Sequence, residues 1–211
     1  MRADAAARLR HVYWIGGGSG AGKSVIAGRV AARHGLRVYA TDDVMADHGR
    51  RCVPAEGPFL TEFAAMDMDE RWVNRSPETM LETFHWFRGE GFGPIVEDLL
   101  RRAAEAGVIA EGFRLLPRLV QPLLADPGHA VWLLPTPGFR RAAFARRGSL
   151  WQIAGQTSDP ERALGNLLDR DRMFTERLRE EAQRLELRVI EVDGTVTEDG
   201  LEELVTEAFG L

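Results

Sequence analysis

Apolar positions along the chain fall into two rhythms. Short runs of consecutive apolar residues alternate with longer stretches in which apolar side chains recur every three or four positions. The first kind reads as buried strand and the second as amphipathic helix. Residues 11–15 form such a run and stop in the glycines that begin at Gly16; from Lys23 to His34 the spacing is helical. Gly35 suits the end of that helix, where a residue in the left-handed region closes the last turn. Residues 36–40, 108–110, 130–134 and 187–192 repeat the strand pattern.

Between 44 and 106 the pattern is mostly helical, with stops expected at 54–58, at Ser76-Pro77 and at 89–93. Residues 139–148 form a basic helical stretch, an irregular region follows to Pro160, a long helix spans 161–185, and an amphipathic helix closes the chain at 198–209. Strands alternating with helices predict an α/β fold: a parallel sheet covered on both faces, with ligands at the carboxyl ends of its strands. At 211 residues the chain is expected to be one domain, 1–211, carrying a mobile insert.

Composition narrows the classes. With 45% hydrophobic and 28% charged residues, neither disorder nor a fibrous protein is indicated. There is no run of about 18 uncharged apolar residues and no secretory leader pattern at the start, so a cytoplasmic location without membrane association is the expectation. Cys52 is the only cysteine, which removes disulfide frameworks and cysteine-based zinc sites. A net charge of −5 argues against a protein that coats nucleic acid. Lys23 is the only lysine, every other permanent side-chain cation being arginine, and it lies where chemistry calls for an ammonium.

The segment Gly17-Gly18-Ser19-Gly20-Ala21-Gly22-Lys23-Ser24 fits G-x-x-x-x-G-K-[ST] between a predicted strand and a predicted helix, the context this pattern requires. Glycines let main-chain N–H groups converge on phosphates, and a helix N-terminus adds partial positive charge. Lys23 is placed to reach the terminal phosphates of a nucleoside triphosphate and the Ser24 hydroxyl to ligate Mg²⁺, with Val25 continuing the cradle into the helix. ATP and Mg²⁺ are the expected cofactors.

On these residues, and on features that follow in order, the chain resembles the nucleotide-kinase-like group of P-loop kinases, which includes adenylate, cytidylate, shikimate and gluconate kinases. The resemblance spans nearly the whole length and implies a three-layer P-loop fold with five parallel strands in the order 2-3-1-4-5. It makes residues 44–106 the acceptor-binding insert and 138–172 the lid. An acid after the second strand faces the acceptor in that group; Asp42 or Asp43 holds this position, Asp42 being the first choice as catalytic residue. Glu111 ends the third strand, where metal or substrate is contacted, although an Asp is more usual there. Arg114 follows three residues later as a candidate for an anionic substrate.

Lid arginines in the group stabilise the transferring phosphoryl, and Arg147 and Arg140 are preferred here among Arg140, Arg141, Arg146 and Arg147. Arg170 is a further candidate toward phosphates or substrate, and its flanking carboxylates, Asp169 and Asp171, are expected to form pairs on the helix surface. Asp193-Gly194-Thr195, after the fifth strand, resembles the loop that lies against adenine. Trp72, Arg75 and Arg88, around the aromatic segment 84–87, are candidates for the acceptor pocket. The implied activity is transfer of the γ-phosphoryl of ATP to a small-molecule hydroxyl or phosphate by a monomer or homodimer. A nucleotide-dependent switch without an acceptor, and an ATPase acting on nucleic acid, remain open alternatives; the absence of an Asn-Lys-x-Asp segment counts against a GTPase switch.

Overall fold

The computed structural model describes residues 2–52, 55, 57–102, 107–147 and 149–211, the side chains of residues 2, 3, 147 and 149–151 excepted. Helix α1 (Arg2–Arg8) leads into strand β1 (Val12–Gly17) and helix α2 (Lys23–His34), then β2 (Arg37–Ala40). Six short helices follow: α3 (Met45–Arg51), α4 (Pro58–Ala65), α5 (Met68–Trp72), α6 (Pro77–Thr83), α7 (His85–Arg88) and α8 (Phe92–Arg101). Strand β3 (Val108–Glu111), helix α9 (Pro117–Val120) and β4 (Ala130–Pro135) come next. Helices α10 (Pro137–Arg147), α11 (Ser149–Ala154) and α12 (Pro160–Arg184) precede β5 (Arg188–Val192) and α13 (Glu198–Phe209).

All strand pairings are parallel, and the described strands form one sheet in the order β2-β3-β1-β4-β5, as expected. Strand β4 shows why the sheet is covered on both sides. Its residues are all buried, and they alternate between two cores: Ala130, Trp132 and Leu134 in one, Val131 and Leu133 in the other. This is the period-2 signature of a strand with no solvent face. Ile26, Val30, Leu201, Val205 and Phe209 of α2 and α13 fill the second core, and Leu167, Phe174 and Leu178 of α12 the first.

Because β1 lies between β3 and β4, the chain leaves it in one direction and later crosses to the other side. Such a reversal opens a crevice at the carboxyl end of β1, where α2 begins. The insert closes over the first core. Phe87 stacks on Phe174 of α12 at 3.6 Å between ring centres, and Asn166 of α12 donates to the Trp72 carbonyl at 3.0 Å.

Element boundaries differ from the sequence expectation in a few places, each with a local cause. Helix α1 was not expected; its Ala-rich composition favours helix, and Leu9, 1% exposed, anchors its end in the core. Ser76-Pro77 begins α6: the Ser76 hydroxyl accepts from Thr79 N at 3.2 Å and Pro77 occupies the first turn, where no N–H is needed. Gly93 lies inside α8, so the break ends at Gly91. Part of the stretch read as irregular before Pro160 is the helix α11. Of the expected stop at 54–58, Val53, Pro54 and Glu56 fall at or beside it outside the described residues.

Candidate functional site

The loop between β1 and α2 is held by contacts that leave little room for side chains. Gly17 has φ 131°, and a Cβ there would lie 2.0 Å from the Leu133 carbonyl oxygen on β4. Gly18 N donates to that same oxygen at 3.1 Å. Gly22, at φ 80°, caps α2 in the left-handed region. The main-chain N–H groups of Ser19, Gly20, Ala21 and Gly22 meet no acceptor among the described residues. Lys23 is buried, and its Nζ donates to Gly18 O at 2.9 Å, folding the loop around the ammonium. Ser24 and Val25 are exposed at the rim. Together these residues leave several N–H donors and one ammonium at the helix N-terminus, which suits an anion of several charges.

Behind the loop, Arg140 is 2% exposed. Its Nε donates to Ser19 O at 3.3 Å and its outer nitrogen to Thr175 Oγ1, so α10 and α12 both hold the loop. Burial lowers its pKa, the cost of keeping a guanidinium there. Arg141 and Arg146 are exposed, and the Arg147 side chain lies outside the described residues.

Acidic groups gather at the ends of β2 and β3. Glu111 is 2% exposed, and its Oε2 has no hydrogen-bond partner. Burial pushes its pKa up; Lys23 and the Ser24 hydroxyl act in the opposite sense, and Asp42 and Asp43 add to the rise. Asp42 presents surface to solvent, yet enough protein surrounds its carboxyl that desolvation raises its pKa too, against the pull of Lys23 and Arg114. Asp43 is exposed. No group of three or more His, Cys, Asp or Glu side chains among the described residues is arranged to hold a metal ion. The orphaned Glu111 oxygen beside Ser24 fits Mg²⁺ nonetheless, since that ion takes few protein ligands and completes its shell with phosphate oxygens and water.

The raised pKa of Glu111 sets an expectation. Its carboxyl is ionised in the unfolded chain above the ordinary carboxylate pKa but resists ionisation when folded, so it costs stability at neutral pH and returns it as pH falls. Glu111→Gln is therefore expected to raise the melting temperature of the ligand-free protein at pH 7, by an increment that shrinks as pH falls. Differential scanning calorimetry checks it; an unchanged or lower melting temperature contradicts the reading of a strained carboxylate.

Arg114 lies in a buried network that the sequence did not reveal. One of its outer nitrogens donates to the Thr41 carbonyl and, at 3.1 Å, to His48 Nδ1. A guanidinium only donates, so Nδ1 is an acceptor and the proton of His48 sits on Nε2, 2.9 Å from Asp98. Burial also lowers the pKa of His48, which fits a neutral ring. Tyr39 and Arg51 donate to Asp98 as well, at 2.9 and 2.8 Å. Asp98 is about one turn after the buried Ile95 and directly precedes the buried Leu99, and an acid on the apolar side of a helix was the only signal available. Arg114 itself packs under Trp86 at 4.8 Å and braces the end of β2 that carries Asp42.

A cavity of about 580 Å³ opens beside the loop. Ser19 marks one end, Met45 and Ala46 lie just beyond Asp42 and Asp43, and Phe63, Trp72, Phe84, Phe87, Phe113 and Phe144 supply aromatic walls. Arg170 also lines it, ringed by Trp72, Phe84 and Phe87 at 4.8–5.2 Å. Its Nε and one outer nitrogen bind Asp171 Oδ1 at 3.0 and 2.7 Å. Asp171 was expected on the helix surface; it is 2% exposed instead, because α12 turns that face toward the insert. Asp169 does pair on the surface, with Arg172.

Three sequence candidates stand elsewhere. Arg75 donates to the Glu70 and Arg71 carbonyls and to Thr83, closing α5, and it does not line the cavity. Arg88 is exposed, donates to the Glu82 carbonyl and covers the Phe59 ring. Asp193, Gly194 and Thr195 form an exposed turn in which Asp193 Oδ1 accepts from the Thr195 N–H and hydroxyl at 2.8 and 2.7 Å. Trp72 lines the cavity wall.

The class so defined is an α/β protein with a parallel sheet in the order 2-3-1-4-5, a glycine loop at the crevice and a helical insert covering an aromatic cavity. Among the described residues no helix is long and apolar enough to cross a membrane. No family model matches the chain, and no curated protein matches it. Among solved structures, an uncharacterized protein from Eubacterium ventriosum is similar at 14% identity over 94% of this chain and 97% of that one, with a TM-score of 0.45. A likeness of that extent carries no functional argument.

Proposed function

We propose that the chain is a P-loop kinase: an ATP- and Mg²⁺-dependent phosphotransferase that moves the γ-phosphoryl of ATP to a small-molecule acceptor. The observation that carries the reading is one continuous site. A loop with unpaired N–H donors and a buried Lys23 opens at Ser19 onto a cavity of about 580 Å³, with Asp42 near Lys23 and three residues before Met45 on the cavity wall. A switch that only binds nucleotide has no use for that cavity, which favours the transferase over this alternative.

In this reading the loop N–H groups and Lys23 hold the triphosphate, while Ser24 and Glu111 hold Mg²⁺. The metal supplies charge neutralisation on the phosphate oxygens. Asp42 orients the acceptor hydroxyl and accepts its proton as the acceptor oxygen bonds to the γ-phosphorus. The bond from that phosphorus to the β,γ-bridging oxygen breaks, and ADP leaves with the electron pair. Arg140, fixed by Ser19 and Thr175, keeps the loop in shape, and Arg147 at the end of α10 is assigned to the developing phosphoryl charge.

The direct test is ATP consumption with Mg²⁺ across candidate acceptors, any phosphorylated product being identified by mass. One acceptor that raises turnover well above the water background establishes the kinase; ATP binding with no product from any of them returns the reading to the switch. Asp42→Asn is expected to lower transfer by roughly 10²- to 10⁴-fold while ATP affinity stays within about threefold. If Asp43→Asn produces that loss instead, the neighbour is the base.

A further inference from the structure

The acceptor's chemical class can be read from what lines the cavity and what does not. Its walls are largely aromatic and aliphatic, Met45, Leu60 and Ile153 among them, with Arg71, His85, Arg170 and Asp171 as the titratable lining. A polyhydroxylated acceptor such as a sugar acid or an aminoglycoside would leave its hydroxyls unpaired against those walls, and a polar group buried without a partner is costly. A phosphate-bearing acceptor needs several convergent cationic donors. Arg71 lines the cavity beside Arg170, but its Nε and one outer nitrogen are committed to the Phe63 and Ala64 carbonyls at 3.0 and 3.1 Å; Arg75 and Arg88 are bound to main-chain carbonyls outside the cavity, and Arg114 packs under Trp86 without lining it.

Two polar groups inside the aromatic wall are left incomplete. Arg170 is 6% exposed, and its remaining outer nitrogen has no partner, although its other two bind Asp171. His85, 2% exposed, has an unpartnered Nδ1. Asp171 balances the charge of Arg170, so the free arm offers a hydrogen bond rather than a net charge. Buried donors of this kind are ordinarily matched by a partner.

Resting on the phosphotransferase reading, we propose that the acceptor is a ring-bearing, largely apolar alcohol. Its ring system stacks among Trp72, Phe84 and Phe87, an oxygen substituent on the ring accepts from Arg170, and the hydroxyl points toward Ser19 and Asp42. Transfer to it follows the balance given above: the hydroxyl oxygen gains the phosphoryl group, its proton goes to Asp42, and ADP departs.

Gly49 on α3 provides the test, because it lines the cavity and a Cβ there meets nothing within 4 Å. Gly49→Trp therefore introduces an indole at the cavity wall with no clash at its Cβ. Calorimetric titration of the full chain without nucleotide would use 2-naphthaleneethanol and its 6-methoxy derivative as probes, against gluconate, adenosine 5′-monophosphate and kanamycin. The expected result is that both naphthyl alcohols bind at least tenfold tighter than every polar comparator. The methoxy derivative is expected to be the tighter of the two, Gly49→Trp to weaken both at least tenfold, and Arg170→Lys to erase the methoxy advantage.

Equal or tighter binding of a comparator overturns the proposal. So does unchanged affinity in Gly49→Trp when its circular dichroism and melting match the wild type. ADP titration of the same samples reports on the glycine loop alone. Loss of ADP binding refutes the phosphotransferase reading, and the alcohol titrations still decide the cavity's ligand.

Discussion

Lys23→Ala is expected to lower ATP-dependent phosphoryl transfer by at least about a hundredfold, the usual order for removing one charge-stabilising donor. Lys23 is the chain's only lysine, so no neighbouring ammonium can take its place. Its Nζ now bonds to Gly18 O inside the loop, and this places the charge among the unpaired N–H groups without an ordering cost at the moment of transfer. The fold should survive. Alanine is the best helix former at the start of α2, and the bond to the Gly18 carbonyl that it removes joins two parts of the same short loop. Far-ultraviolet circular dichroism and steady-state turnover on one preparation decide the matter; full turnover in the variant would remove Lys23 from the mechanism.

Gly17→Val is expected to cost upwards of roughly 3 kcal/mol of stability, a large part of what a single domain has. The Cβ would sit 2.0 Å from the Leu133 oxygen, which belongs to the backbone of a central strand and cannot rotate away. The φ of 131° adds strain for a β-branched residue. Gly28→Ala is the matched control. That glycine lies in the middle of α2 with nothing within 4 Å of its Cβ, so alanine should stabilise by roughly 0.5–1 kcal/mol. Urea midpoints for the two variants should move in opposite directions; a Gly17→Val midpoint near wild type would mean that the loop adopts another conformation.

Much of the site was legible because its parts are local. The glycine loop is announced by residue types whose backbone requirements are visible at each position, and Gly17 and Gly22 do adopt positive φ. Each strand end named from the sequence lies at the carboxyl edge of the sheet, since period-2 burial and alternation with helices leave few other arrangements. The arginines were less legible. A guanidinium in sequence looks the same whether one of its arms is left without a partner beside a cavity, as in Arg170, or bonds a helix carbonyl, as in Arg75 and Arg88. Asp171 was misread for the same reason: the face that α12 turns inward depends on the insert packed against it.

What the amino-acid sequence determined by itself is the succession of strands and helices, the position of the loop and the pair of acids beside it. These follow from periodicity and backbone sterics within a few residues of each other. Only the tertiary structure decided that Glu111 lies buried with an oxygen unpaired, that His48 and Asp98 brace Arg114, and that aromatic residues from the insert, the β3–α9 loop and α10 enclose one cavity with Arg170 of α12. Those relations join positions many tens of residues apart, and burial, which sets both their charges and their partners, exists only once the chain has closed around them.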